Sequence, residues 1–310
     1  MTENGRSFGE LSLRKCAENE AFVQTLELHG ERVLVPVRSG PCEALLYPAV
    51  GEGTAPTIFE IYGGCFSQGN VANNERMRMR MRDSTNFNVI GLDYRKSPNS
   101  PYPCGLEDLF DAVCYFVENA RQYNIDTDRI ATWGHSAGGN FACVLAMMGE
   151  ETRKYHVRAM LLDYPYLDAW KPGIEKTTSA TGLTADVLDA MNEIYAPLSM
   201  RKDAHISPVY ASDDVIAQLP PAAFVICGVD PLNAEAEDMV RRMVHLGKEV
   251  LVRKFMRASH GFLEHWFFRE YYMDALSPEE RAGLPDDIGE QAEMGLAFVI
   301  RAAKYFLQAQ

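Results

Sequence analysis

No run of this 310-residue chain stays apolar for the roughly 20 residues that a membrane-spanning helix requires, so no span is expected. The seven cysteines include no C-x-x-C pair, and an odd number cannot all pair within one chain. They are read as reduced, mostly buried thiols, and the protein with them as cytoplasmic. The first residues, Met1-Thr2-Glu3-Asn4-Gly5-Arg6-Ser7, are polar and have no apolar stretch of a secretory signal behind them. Neither an H-E-x-x-H pattern nor a phosphate-binding glycine loop occurs, so neither a metal nor an organic cofactor is expected. Positive charge is scarce. Thirty lysines and arginines stand against 43 aspartates and glutamates, a net charge of −13, which argues against a nucleic-acid partner or an anionic membrane surface. Internal repeats and low-complexity tracts are absent too.

What is present is a 47% hydrophobic composition, ample for one large α/β domain or a domain with a lid. Residues 8–29 mix charge with spaced apolar positions (Leu11, Leu13, Phe22, Val23, Leu26) and predict one or two amphipathic helices. Arg32–Val37 and Glu43–Tyr47 flank the turn-forming Ser39-Gly40-Pro41 and predict an antiparallel hairpin at a sheet edge. Beyond a Gly/Pro-rich loop the rhythm becomes strand alternating with helix, the pattern of a parallel sheet with crossovers. Strands are expected at Thr57–Tyr62, Asn88–Tyr94, Arg129–Trp133, Ala159–Asp163, Ala222–Cys227 and Glu249–Phe255. Helices are expected near 71–86, 105–123, 137–149, 233–246 and 288–308. The alternation Met77-Arg78-Met79-Arg80-Met81-Arg82 is taken as a surface helix with basic stems rather than an anion site. Residues 166–209 interrupt the alternation with Pro172-Gly173, a polar Thr/Ser stretch and a helical piece opening near Thr184, the makings of a lid.

The densest chemical signal is Gly134-His135-Ser136-Ala137-Gly138-Gly139, set between the strand run ending at Trp133 and the helical run Asn140–Met148. A G-x-S-x-G match alone is weak; within strand–turn–helix it is a nucleophile elbow, which raises the serine hydroxyl at a helix N-terminus. Serine is a poor nucleophile at neutral pH and requires a base, which in turn requires an orienting acid. In this fold order both follow the serine. Asp230 lies in the turn after the strand Ala222–Cys227, and His260 in the loop after the next strand. Both are C-terminal strand ends, where open α/β sheets bind ligands. Asp163 is an alternative acid, and His135, His205 and His265 are alternative histidines. The third element is an oxyanion hole. Tyr62-Gly63-Gly64-Cys65-Phe66 follows a strand and has the glycines that let backbone N–H groups converge, with the N–H of Ala137 as a further donor.

Taken together, the chain resembles the hormone-sensitive-lipase-like branch of the α/β-hydrolases, bacterial carboxylesterases of the acetyl esterase type in particular. Gly134–Gly139 is similar to that family's G-[DH]-S-A-G-G, and Tyr62–Phe66 to its H-G-G-G-[FW]. Asp93-Tyr94-Arg95-Lys96-Ser97-Pro98, continuing to Pro101-Tyr102-Pro103, is similar to D-Y-R-L-A-P…F-P. Asp230-Pro231-Leu232 and His260-Gly261-Phe262 match D-x-L and H-G-F. The resemblance covers roughly residues 30–263 and implies an α/β-hydrolase: a mostly parallel sheet with an antiparallel N-terminal hairpin, helices on both faces and a helical cap. The catalytic core would span 30–165 and 206–310, and the cap 1–29 and 166–205. It implies Ser136 as nucleophile, His260 as base and then acid, Asp230 as orienting acid, and the N–H groups of Gly64, Cys65 and Ala137 as oxyanion donors. Gly63, Gly134 and Gly138 support the turns. Tyr62 and Cys65 depart from the motif's first histidine and third glycine, which implies lowered or shifted activity.

The expectation is a serine carboxylester hydrolase of small, uncharged, short-acyl esters, working through an acyl-enzyme without a cofactor. An amidase, peptidase or lactonase could use the same triad. A non-catalytic small-molecule binder on the same scaffold is the alternative of a different class. The partner is a small ester, and a homodimer is compatible with this reading. The aromatic residues after His260 (Phe262, Trp266, Phe267, Phe268, Tyr271, Tyr272) are expected on a helix face packed against the sheet, ahead of a subunit interface or a pocket wall.

Overall fold

The computed structural model describes residues 7–176, 183–275, 278, 281 and 284–308. The polar N-terminal residues 1–6 and the Thr/Ser stretch at 177–182 lie outside them. Eight strands form one sheet: β1 (Glu31–Val37), β2 (Gly40–Tyr47), β3 (Ala55–Ile61), β4 (Asn88–Leu92), β5 (Ile125–His135), β6 (Ala159–Asp163), β7 (Ala222–Val229) and β8 (Val250–Ser259). Their order is β1-β2-β4-β3-β5-β6-β7-β8. β2 runs antiparallel to both β1 and β4, and every later pairing is parallel. The hairpin and the six internal strands thus sit where the sequence pattern predicts them. β4 and β6 are buried along their whole length, as strands covered on both faces must be.

The helices are α1 (Phe8–Val23), α2 (Glu75–Thr85), α3 (Cys104–Glu118), α4 (Ala137–Thr152), α5 (Ala185–Tyr195), α6 (Asp213–Gln218), α7 (Asn233–His245), α8 (Phe262–Phe267), α9 (Arg269–Ala275) and α10 (Ile288–Leu307). α1 opens with a capping box: the Glu10 N–H donates to Ser7 Oγ at 3.3 Å, and the Ser7 N–H to Glu10 Oε2 at 2.9 Å. Among the described residues no helix is long and apolar enough to cross a membrane.

Strand order decides where a ligand can sit. The step from β3 to β4 runs toward β1, whereas every crossover from β4 onward runs the other way. Right-handed connections therefore place α2 on one face and α3, α4 and α7 on the other. α10 packs beside α2, and α3 beside α4. The chain leaves the adjacent strands β3 and β5 toward opposite faces, which opens a crevice between their C-terminal ends. Gly63–Cys65 follow β3 and Ser136 follows β5, so the crevice belongs to them.

Two expectations need correction. The Met/Arg alternation is helical, but not wholly a surface feature. A 3.6-residue repeat puts positions 77, 78, 81 and 85 on one face, so Met77, Met81 and Arg78 are all fully buried. Arg78 is accommodated there because Glu60, fully buried in β3, pairs with it at 2.5 Å. The aromatic segment after His260 also divides. Phe262 and Phe267 are buried in the core, whereas Tyr271 and Tyr272 line the crevice beside Ser136.

Candidate active site

Ser136 takes φ 56° and ψ −118°, a conformation that costs a residue with a Cβ and survives only where its surroundings fix it. Here the fixing is by backbone bonds. The Ser136 N–H donates to the Asp163 carbonyl at 2.9 Å, and its own carbonyl accepts from Tyr166 N–H at 3.0 Å. The flanking glycines have a steric cause. A Cβ on Gly138 would collide with the Ile61 carbonyl of β3, and one on Gly134 with the Gly138 carbonyl. Without a side chain at 134 the elbow closes tightly on itself, and without one at 138 it presses on β3.

His260 and Asp230 arrive from the ends of β8 and β7. His260 Nδ1 lies 2.7 Å from Asp230 Oδ2, and Nε2 lies 2.8 Å from Ser136 Oγ. With Nδ1–H donating to the carboxylate, the Nε2 lone pair is left to accept the serine proton. The second Asp230 oxygen accepts from the Leu232 N–H at 2.9 Å, so the carboxylate is held at both ends. Burial alone would lower the His260 pKa; the Asp230 charge and hydrogen bond outweigh it and leave the pKa raised. Gly261 at φ 75° turns the chain into α8 directly behind the histidine.

The alternatives are placed elsewhere. His135 is fully buried with its nitrogens 3.1 Å from Asp163 and 3.4 Å from Glu60. Asp163 Oδ2 also accepts from Trp133 Nε1 at 2.7 Å. His205 pairs with Glu151 at 3.0 Å. His265 lines the crevice wall, its ring edge-on to Tyr272.

The loop after β3 runs through three left-handed residues: Gly64 at φ 124°, Cys65 at 57° and Phe66 at 58°. Gly64 is required, because a Cβ there would strike the Gln68 carbonyl. Its own carbonyl accepts from the N–H groups of Ser67 and Gln68 at 2.9 and 2.8 Å. Among the described residues no protein group accepts from the N–H of Gly64 or Cys65, which leaves both available beside Ser136. Tyr62 turns its buried ring away, stacked on Tyr94 at 4.6 Å, with its hydroxyl donating to Asp93. Lys96 pairs with the same carboxylate at 3.0 Å. The departure at this position is therefore absorbed by the interior.

Cys65, by contrast, faces the cavity, and burial pushes its thiol pKa up to about 11, so it stays neutral. Cys65→Gly should relieve a left-handed Cβ, worth about 1–2 kcal/mol, and widen the cavity. The expected result is a longer preferred acyl chain with the shortest esters still turned over. An unchanged preference in an acyl-length series would show that the thiol does not limit the pocket.

The cavity has a volume of about 180 Å³ and brings together Ser136, His260, Gly64 and Cys65. Its walls also hold residues that the sequence did not single out: Lys15 and Asn19 of α1, Asn73, and Glu264. The hydroxyl of Tyr164 donates to Glu264, and the Tyr164 ring stands edge-on to His260 at 5.2 Å. Glu264 lies one helical turn beyond His260, a spacing that could have drawn attention to it. Asn19 and Asn73 carry no such local signal. Among the described residues no cluster of three or more His, Cys, Asp or Glu side chains is arranged to hold a metal ion.

A model of the family described as alpha/beta hydrolase fold matches residues 58–264. Carboxylesterase NlhH of Mycobacterium tuberculosis is 27% identical over 233 residues, which cover 74% of this chain and 71% of that protein. Ethyl acetate hydrolase of Pseudomonas putida is 26% identical over 254 residues, 81% of this chain and 73% of its own. Among solved structures, EstE1, a thermostable carboxylesterase cloned from a metagenomic library, shares the fold at a TM-score of 0.81. That match covers 99% of this chain and 100% of EstE1 at 22% identity.

Proposed function

The chain belongs to the alpha/beta hydrolase fold family, and from that premise we propose that it is a serine carboxylester hydrolase of small, short-acyl esters. The observation that carries the reading is the position of His260, in hydrogen-bond contact with Ser136 Oγ on one side and Asp230 on the other. Ser136 attacks the ester carbonyl as His260 Nε2 takes its proton. The N–H groups of Gly64, Cys65 and Ala137 receive the charge that develops on the carbonyl oxygen. His260 returns the proton to the leaving alcohol, and an acyl-enzyme remains on Ser136 Oγ. A water deprotonated by the same histidine then releases the acid.

The names of the carboxylesterase and ethyl acetate hydrolase relatives support an ester bond, and the second supports a small acyl group. The cavity volume of about 180 Å³ supports a short chain as well. α1 and the segment around Leu183 contribute to the cavity wall, in keeping with a cap over the site formed by residues 1–29 and 166–205.

The test is a series of nitrophenyl esters from acetate to dodecanoate, run on the wild type beside Ser136→Ala. Ser136-dependent turnover should peak at the shortest chains and exceed that of a matched anilide. A peak at the longest chains would remove the short-acyl part of the reading. Turnover no higher than that of Ser136→Ala at every length would remove the hydrolase reading.

A further inference from the structure

The wall of the cavity formed by α1 and the segment after Cys65's loop is polar in a way that a plain alkyl ester does not use. Asn19 is 1% exposed and lines the cavity, yet neither its Nδ2 nor its Oδ1 has a hydrogen-bond partner among the described residues. Asn73 is 4% exposed, lines the same cavity, and leaves its Oδ1 unpartnered. A buried amide without a partner forfeits the hydrogen bonds it would make in water, so native structures seldom leave one idle outside a functional site. Beside these two amides stand the phenols of Tyr271 and Tyr272, both on the cavity wall. Asn19 stands beside the Tyr271 hydroxyl and Asn73 beside that of Tyr272, and the Tyr271 hydroxyl donates to the Lys15 carbonyl at 3.5 Å.

We propose that this wall recognises the hydroxyl groups of the leaving alcohol, and that the substrates are O-acylated polyols or saccharides. The proposal rests on the hydrolase reading above and deepens it. Amides supply donors and acceptors without charge, which matches neutral hydroxyls. The charged side chains on the cavity wall, the exposed Lys15 and the buried Glu264, are of opposite sign and select neither an anion nor a cation. The wall also lies on the correct side. The alcohol leaves toward His260, which must protonate it, and the chain from His260 through His265 to Tyr271 and Tyr272 builds this side of the cavity. The tyrosine rings offer flat apolar faces for the C–H surfaces of such an alcohol. An alkyl alcohol would leave the Asn19 amide and the Asn73 Oδ1 unpaired in the complex. A site built to bond a hydroxyl discriminates against the analogue that lacks it.

The experiment compares 2,3-dihydroxypropyl acetate with propyl acetate, which differ only in two hydroxyls. For the wild type, kcat/KM should favour the dihydroxypropyl ester by at least about ten-fold. Asn19→Leu and Asn73→Leu, each checked for folding by thermal melting, should bring the ratio toward one. Asn19→Asp, which keeps the shape and the acceptor oxygen but replaces the amide donor, should retain part of it. A wild-type ratio at or below one overturns the proposal without any variant, and so does a ratio that both leucine variants leave unchanged. If neither ester is turned over above Ser136→Ala, the hydrolase reading fails. The wall is then judged by calorimetry of the intact esters with Ser136→Ala. Tighter binding of the dihydroxypropyl ester sustains the proposal; equal binding overturns it.

Discussion

Ser136→Ala and His260→Ala are each expected to lower kcat on a short-acyl ester by roughly 10^4- to 10^6-fold, with the double variant little worse than either. The near-equality is the informative part. Ser136 Oγ and His260 Nε2 share one proton across 2.8 Å, so removing either group ends the same transfer. A double variant losing the product of the two single effects would mean that they act independently. Asp230→Asn should fall by about 10^3- to 10^4-fold, because an amide leaves His260 in the wrong tautomer. Asp163→Asn should spare the chemistry much more, since Asp163 reaches Trp133 and His135 and not His260. The base must be neutral to act, and its pKa is raised above 6.5 when folded. The acid limb of kcat/KM should therefore lie above pH 6.5, and Asp230→Asn should move it lower. A limb that stayed in place would separate Asp230 from the titrating group.

The elbow was legible because its determinants are local. Gly134, Ser136 and Gly138 fall within five positions, and the apolar runs on both sides announce a strand and a helix. The order of serine, acid and histidine then followed from the alternation of strands and helices. The long-range parts of the site were not legible. Asn19 reaches the cavity only because α1 packs against the loop after β3, where Ser12 and Cys16 bond Ser67, and Tyr271 and Tyr272 because α9 follows α8 along its wall. No pattern within those segments encodes either approach. Arg78 is an intermediate case. Its own helix reads as basic and exposed, but Glu60 lies in the middle of the apolar strand Thr57–Ile61. A carboxylate at such a position demands a buried cation or donor, so the question could have been asked from the strand even though the helix concealed the answer.

That buried pair carries the second large effect. Arg78→Met should destabilise the fold by about 3–5 kcal/mol in chemical denaturation at pH 7, since it strands Glu60 without its cation. Glu60 Oε2 receives Arg78 Nη1 at 2.5 Å and Oε1 receives Asn74 Nδ2 at 2.7 Å, with both ion-pair partners fully buried. The double variant Glu60→Gln, Arg78→Met should recover a good part of the loss, because the charge left unpaired is what costs most. His135 continues the cluster, 3.4 Å from Glu60 and 3.1 Å from Asp163. Burial would lower its pKa, but the neighbouring carboxylates of Asp163 and Glu60, with Glu264 beyond them, prevail and push it up to about 10. Protonated, it joins Arg78 in opposing the carboxylates of Glu60 and Asp163, with the buried Glu264 adding to the negative field. A folded pKa above the unfolded 6.5 means that this stabilisation is complete below pH 6.5 and is lost as pH rises through about 10. Wild-type stability should therefore fall between pH 7 and pH 10, and His135→Gln should flatten that slope while starting from a lower value. An equal slope in both proteins would mean that His135 is neutral when folded. Because His135 immediately precedes Ser136, and Glu60 and Asp163 sit on the two strands flanking β5, the same charges that hold β3, β5 and β6 together fix the base of the elbow. Loss of the cluster at high pH should thus lower the fraction of folded enzyme, a loss distinguishable by denaturation from any change in the titration of His260.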